Sequence, residues 1–203
     1  GLSNRGRTTA AERNADDIRA NLPNVKHFIV ADPRPDKVTP DGWIDWDSLV
    51  GSRPTSATPA IALSENDVTS INYTSGTTAR PKGVMLTHRN VYINAYNFIA
   101  HLRTRHEDVE LWTLPMFHAN GWGGPFAITA MGGTHVVLRA VVGSEIYRLI
   151  EEEKVTFACM APAVLSTILN FPEKEKFTVT TKPRFTVAGA PAPATAIRSP
   201  HCH

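Results

Sequence analysis

Apolar residues recur along the chain at two spacings, and the change from one to the other marks out its elements. Thr9 and Glu12 form a capping box, and Ala11, Ala15, Ile18 and Leu22 follow at helical spacing until Pro23, which predicts a short amphipathic helix over 9–22. Residues 25–30 read as a strand. Residues 31–59 hold five of the fifteen prolines and read as a surface excursion with no continuous helix, pinned to the body by Trp43, Ile44 and Trp46. From Val68 the pattern becomes regular. A strand over 68–73 leads into a Gly/Ser/Thr loop over 74–83, and Thr87 opens a helix with Val91, Ala95, Phe98 and Leu102 on one face. Further strands are expected at 109–114, 134–138, 155–160 and 184–188, with helices over 125–131, 144–154 and 162–170. Strand and helix in alternation predict an α/β fold built on a parallel sheet.

Composition narrows the class. Hydrophobic residues make up 42% of the 203 residues and charged residues 20%, which excludes a disordered chain and a disulfide-dense scaffold. The 21 Lys and Arg against 19 Asp and Glu are scattered, so nothing calls for nucleic acid or an anionic membrane. No apolar run approaches the roughly 18 residues that span a bilayer, and the first residues lack the pattern of an export signal. Two cysteines, Cys159 in an apolar run and Cys202 near the last residue, suit a reducing compartment, and the cytoplasm is the expected location. A homo-oligomer is compatible with this composition.

Chemistry concentrates in two loops that follow strands. The segment from Thr74 to Gly83 carries the hydroxyls of Thr74, Ser75, Thr77 and Thr78, two glycines and Lys82. Hydroxyl and backbone N–H donors can surround phosphate oxygens, and an ammonium offsets polyphosphate charge. By composition alone a solvated turn is an equal reading. A Walker loop is excluded, because Pro81 precedes Lys82 and Gly83 follows it. The second loop, Leu114-Pro115-Met116-Phe117-His118-Ala119-Asn120-Gly121-Trp122, offers an imidazole and an indole after a strand, where α/β ligand sites collect. A third block, Val187-Ala188-Gly189-Ala190-Pro191, reads by itself as a strand-end turn. Glu151, Glu152, Glu153 and Lys154 read as the solvated face of a helix that buries Ile146, Leu149 and Ile150. Cys159 reads as a buried inert thiol, and His201, Cys202 and His203 as no metal site.

Taken together the three blocks resemble, in order, the signatures of the adenylate-forming superfamily, which includes acyl-CoA synthetases, adenylation domains and beetle luciferases. Thr74 to Gly83 matches the phosphate-binding pattern [ST]-[ST]-G-[ST]-T-G-x-P-K-G with one departure, Ala79 in place of glycine. The second block is similar to the P-M-F-H-x-N-x-W form of fatty-acyl-CoA synthetases and of ligases for medium-chain or aromatic acids. The third resembles the adenine- and ribose-lining G-[GA]-[AS]-P turn. The resemblance covers roughly residues 64–196.

That resemblance implies parts of two parallel-sheet lobes of the family's N-terminal domain, the first over 1–102 and the second over 103–203. It implies activation of a carboxylic acid, fatty on the closest signature, as acyl-AMP, followed by transfer to coenzyme A. ATP, Mg²⁺ and coenzyme A are the implied cofactors. Thr74, Ser75, Gly76, Thr77, Thr78 and Lys82 would hold phosphates, with Gly189, Ala190 and Pro191 at the nucleoside. Thr74 would also ligate the metal. His118, Ala119, Asn120 and Trp122 would line the acid site, with Lys82, Thr77 and His118 as catalytic groups. The family's later glutamate, aspartate and lysine blocks do not occur in these residues, so the 203-residue chain is expected to be inactive by itself. A non-catalytic nucleotide-binding role is the alternative.

Overall fold

The computed structural model describes residues 19–31, 38–52, 61–74 and 81–191, and the chain divides into two compact units, 1–61 and 62–203. The helix expected over 9–22 lies outside the described residues up to position 18, and Arg19–Asn21 forms a single 3-10 turn. In the first unit β1 (Ile29–Val30) pairs in parallel with β2 (Ile44–Asp45), a much shorter strand than the one expected over 25–30. Trp43 packs on Phe28 at 5.4 Å between rings, as an anchor should. The excursion forms no continuous helix, as expected, and holds one short helix. Residues 46–51 form a helix, α1 (Trp46–Gly51), because the Asp45 carboxylate accepts a hydrogen bond from the Ser48 N–H and caps it. Trp46 is 49% exposed, so about half of its surface stays in solvent, while Trp43 is the better buried of the two tryptophans.

In the second unit β3 (Val68–Thr74) is followed by an antiparallel partner, β4 (Lys82–Thr87), where the sequence pattern suggested loop as far as Gly83. The correction matters, because the pairing sets Lys82 directly across from Thr74 and closes the phosphate motif at its two ends. Thr87 then caps α2 (His88–Leu102). Its hydroxyl accepts from the Asn90 N–H, and the Asn90 side-chain oxygen accepts from the Thr87 N–H, as a capping box.

The expected parallel sheet is present, with β5 (Val109–Trp112), β6 (Thr134–Val137), β7 (Phe157–Met160) and β8 (Arg184–Val187) in the spatial order β6-β5-β7-β8. Between them run α3 (Gly124–Met131), α4 (Gly143–Glu152) and α5 (Pro162–Leu169). Both faces are covered, which is why β7 is buried at every position. Leu111, Ala158 and Met160 pack with Ile146, Leu149 and Ile150 of α4 and with α5. On the opposite face Phe157 and Cys159 meet Ala95 and Phe98 of α2 and Ala127 and Ile128 of α3. Burial pushes the Cys159 thiol up to about 12, in keeping with an inert core cysteine. Among the described residues no helix is long and apolar enough to cross a membrane.

Two acids on β5 and its approach differ sharply. Burial alone would raise the Asp108 carboxyl, but hydrogen bonds from the Arg105 N–H, Arg184 and Thr156 outweigh it, and the net displacement is downward. Glu110 is 1% exposed, and its Oε2 has no partner among the described residues. Burial and the nearby Asp108 charge raise its carboxyl from 4.5 to about 8. Between those values Glu110 is neutral in the fold and ionised in the unfolded chain, so stability falls as pH rises through that window and the loss is complete above about 8. Glu110→Gln should therefore flatten the pH dependence of urea unfolding between pH 5 and 8. It should also stabilise the chain at pH 8 by roughly 3 kcal/mol. An unchanged pH slope in the variant would show that Glu110 is ionised in the fold.

Candidate active site

The strand order places a topological switch point between β5, which leads to β6 on one side, and β7, which leads to β8 on the other. Ligands of open α/β sheets bind outside the carboxyl ends of strands at such a point. The His118 segment leaves β5 at that end, and the Gly189 turn leaves β8 at the same end because the strands are parallel.

The backbone between His118 and α3 is unusual. Ala119, Asn120, Gly121, Trp122 and Gly123 have φ of 49°, 50°, 58°, 61° and 84°, five successive residues in the left-handed region. Three of them carry side chains, and each such residue costs about 1 kcal/mol or more. Identifiable contacts hold the turn in place. His118 N–H donates to the Pro115 carbonyl and Gly121 N–H to that of His118. Asn120 Nδ2 donates to Ser70 Oγ on β3 at 3.0 Å. Beneath the turn lies the Trp112 ring, so close that a Cβ added to Gly121 or Gly124 would stand 2.9 or 2.8 Å from it.

Trp112 is itself fixed. Its indole N–H donates to His135 Nδ1 at 2.9 Å, and His135 Nε2 lies 3.0 Å from Thr129 Oγ1. Nδ1 must then be the unprotonated nitrogen, with Nε2 donating to Thr129. Burial pushes the imidazolium down, which favours this neutral form.

A cavity of about 1010 Å³ opens between the β3–β4 hairpin, α2 and this turn. The hairpin contributes Asn72, Thr74, Val84 and Leu86. From α2 come Asn90, Val91 and Asn94, and from the turn His118, Ala119, Asn120 and Trp122. Four acid-site residues expected from the sequence therefore share one cavity with Thr74. Lys82 is exposed and sits across from Thr74 at the strand ends, although it is not part of the wall. Ser75, Gly76, Thr77 and Thr78 lie outside the described residues. Gly189 has φ of 91° and, among the described residues, nothing within 4 Å of a Cβ position, and Ala190 and Pro191 follow it. None of the three lines the cavity.

The donor set decides what these residues could hold. No three His, Cys, Asp or Glu side chains converge among the described residues, so a cage built from such ligands is not available. A single hydroxyl at Thr74 suits Mg²⁺, which keeps several waters and is usually held through substrate phosphates. Sequence reasoning overlooked Asn90, Asn94, Trp112 and His135. A signal existed for the first two, since positions 90, 91 and 94 share the helix face next to the cap at Thr87.

The model of the family described as AMP-binding enzyme matches residues 5–201. The chain belongs to the AMP-binding enzyme family. A relative, the peroxisomal trans-cinnamate:CoA ligase of Petunia hybrida, is 39% identical over 164 residues, covering 80% of this chain and 29% of that enzyme. The 4-hydroxybutyrate–CoA ligase 2 of Metallosphaera sedula is 42% identical over 138 residues, 68% of this chain and 25% of its own. Among solved structures, the anthranilate CoA ligase AuaEII in complex with anthranoyl-AMP superposes with a TM-score of 0.75 and 25% identity, covering 90% of this chain and 35% of that one. The AMP-binding chain thus spans under a third of the length of these two curated relatives.

Gly123 offers a test of the turn. A Cβ there would stand 1.8 Å from Asn94 Oδ1, whereas Gly132, also left-handed at φ 74°, has nothing within 4 Å among the described residues. Gly132→Ala should cost about 1 kcal/mol of conformational energy, and Gly123→Ala up to roughly 1 kcal/mol more, because the exposed Asn94 side chain must turn away from the new methyl group. Urea denaturation of both variants measures the difference. Equal losses would mean that the Asn94 side chain is not held against Gly123.

Proposed function

We propose that this chain is the acid- and phosphate-holding part of an AMP-forming acid–thiol ligase. The observation that carries the reading is that one cavity takes its walls both from Thr74, where the phosphate motif begins, and from the His118 to Trp122 turn. In the reaction a carboxylate oxygen of the acid bonds to the α-phosphorus of ATP while pyrophosphate leaves. The thiol sulfur of coenzyme A then takes the acyl group, and AMP leaves.

Each residue has a part that its chemistry suits. Lys82 and the hydroxyls of Thr74, Ser75, Thr77 and Thr78 donate to phosphate oxygens as charge moves onto the leaving group, the kind of preorganised stabilisation that lowers such barriers most. Gly76 lets the backbone come close to the phosphates, and Thr74 adds one ligand to the Mg²⁺ that travels with them. Gly189, Ala190 and Pro191 take the nucleoside. His118 sits at the acid carboxylate, Ala119 and Asn120 shape the wall, and Trp122 borders the acyl group. The lobes meet near residue 102 in this reading, and the 203 residues alone do not turn over, since residues acting as a unit fail together. Cytoplasmic residence rests on cysteine usage, whereas the Petunia relative carries a peroxisomal name.

The acid is a carboxylic acid of fatty or aromatic type. The P-M-F-H-x-N-x-W form favours a fatty acid, and the names of the relatives, which print cinnamate and 4-hydroxybutyrate, extend the range to aromatic and hydroxylated acids.

Separate effects on the two ligands test the proposal. Trp122→Ala should weaken binding of an aromatic acid to the chain about tenfold while ATP affinity stays within about threefold, since an aromatic wall acts on the apolar ligand. Lys82→Ala should do the reverse, losing about tenfold for ATP by removal of a charge-assisted donor. Titration calorimetry reads both. Loss of ATP binding in Trp122→Ala with unchanged acid binding would make Trp122 a nucleotide-site residue and overturn the assignment.

A further inference from the structure

Ser70, Asn72 and Thr74 alternate onto one face of β3, the face whose Asn72 and Thr74 line the cavity across from the turn. The hairpin that carries them has few attachments. Among the described residues it pairs with no third strand, and Ile71 and Met85 on its far face are exposed. At its base the His88 N–H donates to the Asp67 carbonyl at 3.1 Å and the Arg89 N–H to that of Glu65 at 2.8 Å, which ties it to the start of α2. A register shift between Val68 and Ser70, of the kind that bends a strand, follows at once. Just past it Asn120 Nδ2 donates to Ser70 Oγ at 3.0 Å, the one hydrogen bond between hairpin and turn among the described residues. Asn120 has φ of 50°, a conformation that asparagine tolerates better than most residues. Thr74 lies further along the same face of β3, roughly 13 Å from Ser70 at the usual rise of a strand.

We infer that Asn120 and Ser70 are a positioning pair, whose hydrogen bond sets the angle of the β3–β4 hairpin against the turn and so holds the two walls of the cavity at one separation. The inference rests on the proposed function and goes beyond it, because Asn120 then acts through β3 rather than by touching the acid. The hairpin works as a lever. Its pivot is the tie to α2 and the bond to Asn120 stands beside that pivot, so a small shift at Ser70 is magnified at the tip, where Thr74 faces Lys82. A ligand that reaches from one wall to the other needs both in place. Without the bond the hairpin samples other angles, and whichever ligand binds first must fix it, so its affinity falls by the fraction of chains already at the right angle. The second ligand meets walls that are already set. Loss of the bond should therefore weaken either ligand alone and spare the second, a pattern that a residue touching only one ligand would not give.

The test is titration calorimetry on the 203-residue chain with Mg²⁺ and the α,β-methylene analogue of ATP, which cannot give up its adenylyl group. The acid is cinnamate or octanoate, whichever the wild type binds more tightly. Each ligand is titrated alone and then into chain saturated with the other. Ser70→Ala should bind either ligand alone about fivefold more weakly than the wild type does, the scale of one net hydrogen bond, and should bind the second ligand within about twofold of the wild type. Ser70→Thr, which keeps the hydroxyl, should match the wild type, whereas Ser70→Val, of the same shape as threonine without the hydroxyl, should behave as Ser70→Ala. Circular dichroism and thermal melting confirm that each variant is folded. Unchanged single-ligand affinities in Ser70→Ala and Ser70→Val, or a loss that the second ligand does not restore, overturn the role of the pair and leave the proposed function standing. Failure of the wild type to bind either acid, or to bind the analogue, overturns the inference together with the proposed function.

Discussion

The turn from His118 to Gly123, which forms one wall of the cavity, depends on the hydrogen bond from the Trp112 indole to His135 Nδ1. A left-handed stretch of five residues is unfavourable for L-amino acids, and Ala119, Asn120 and Trp122 adopt it without the freedom of glycine. Such a stretch persists only where its surroundings leave no alternative. Trp112 supplies the floor, and Gly121 and Gly124 approach it too closely for any side chain. If the indole could rotate, the floor would tilt. His135 accepts its N–H, stacks beside it at 5.8 Å, and is itself held by Thr129 on the helix that the turn leads into. The turn, the helix and the strand are thereby closed into one loop of contacts.

Beneath that loop the sheet carries its own tension. Glu110 lies on the same face of β5 as Trp112, with its carboxyl oxygens 3.5 Å from where a Gly124 Cβ would be. An unpaired buried acid in a parallel sheet is costly in the ionised form, so the fold holds it neutral. Asp108, two residues earlier, is instead ionised and tied to Arg184, whose guanidinium also reaches the Leu102 carbonyl at the end of α2. One carboxyl joins elements and the other sits beneath the site. The position of α2 against the sheet, and with it Asn90 and Asn94, follows partly from the Asp108 to Arg184 contact.

Much of the scaffold is legible in the residues themselves. Short apolar runs separated by helical segments mark the four parallel strands, because both faces of the sheet are covered. Thr87 marks the start of α2 because its hydroxyl caps the helix. The order of the three signature blocks carries the family. The hairpin is not legible, because Lys82 and Gly83 read as the end of a polar loop, and only the pairing of Thr74 with Lys82 makes them strand. α1 was hidden by its short length and by reliance on a side-chain cap. The left-handed turn has only a faint trace, the spacing of Gly121, Gly123 and Gly124. Asn94 has none beyond its helix face, since its significance comes from Gly123, 29 positions away in the chain.

Hydrogen exchange at the turn tests most directly whether Trp112 and His135 hold this wall of the cavity. In His135→Leu the indole N–H loses its acceptor, and amides of Gly121, Trp122, Gly123 and Gly124 should exchange at least tenfold faster than in the wild type. Amides of β7 and α5, on the other side of the switch point, should keep their protection. His135→Asn, whose side-chain oxygen can stand where Nδ1 stood, should restore most of the protection at the turn. Unchanged exchange at residues 121–124 in His135→Leu, with the indole free, would contradict the account and show that the turn holds its conformation without Trp112 being fixed.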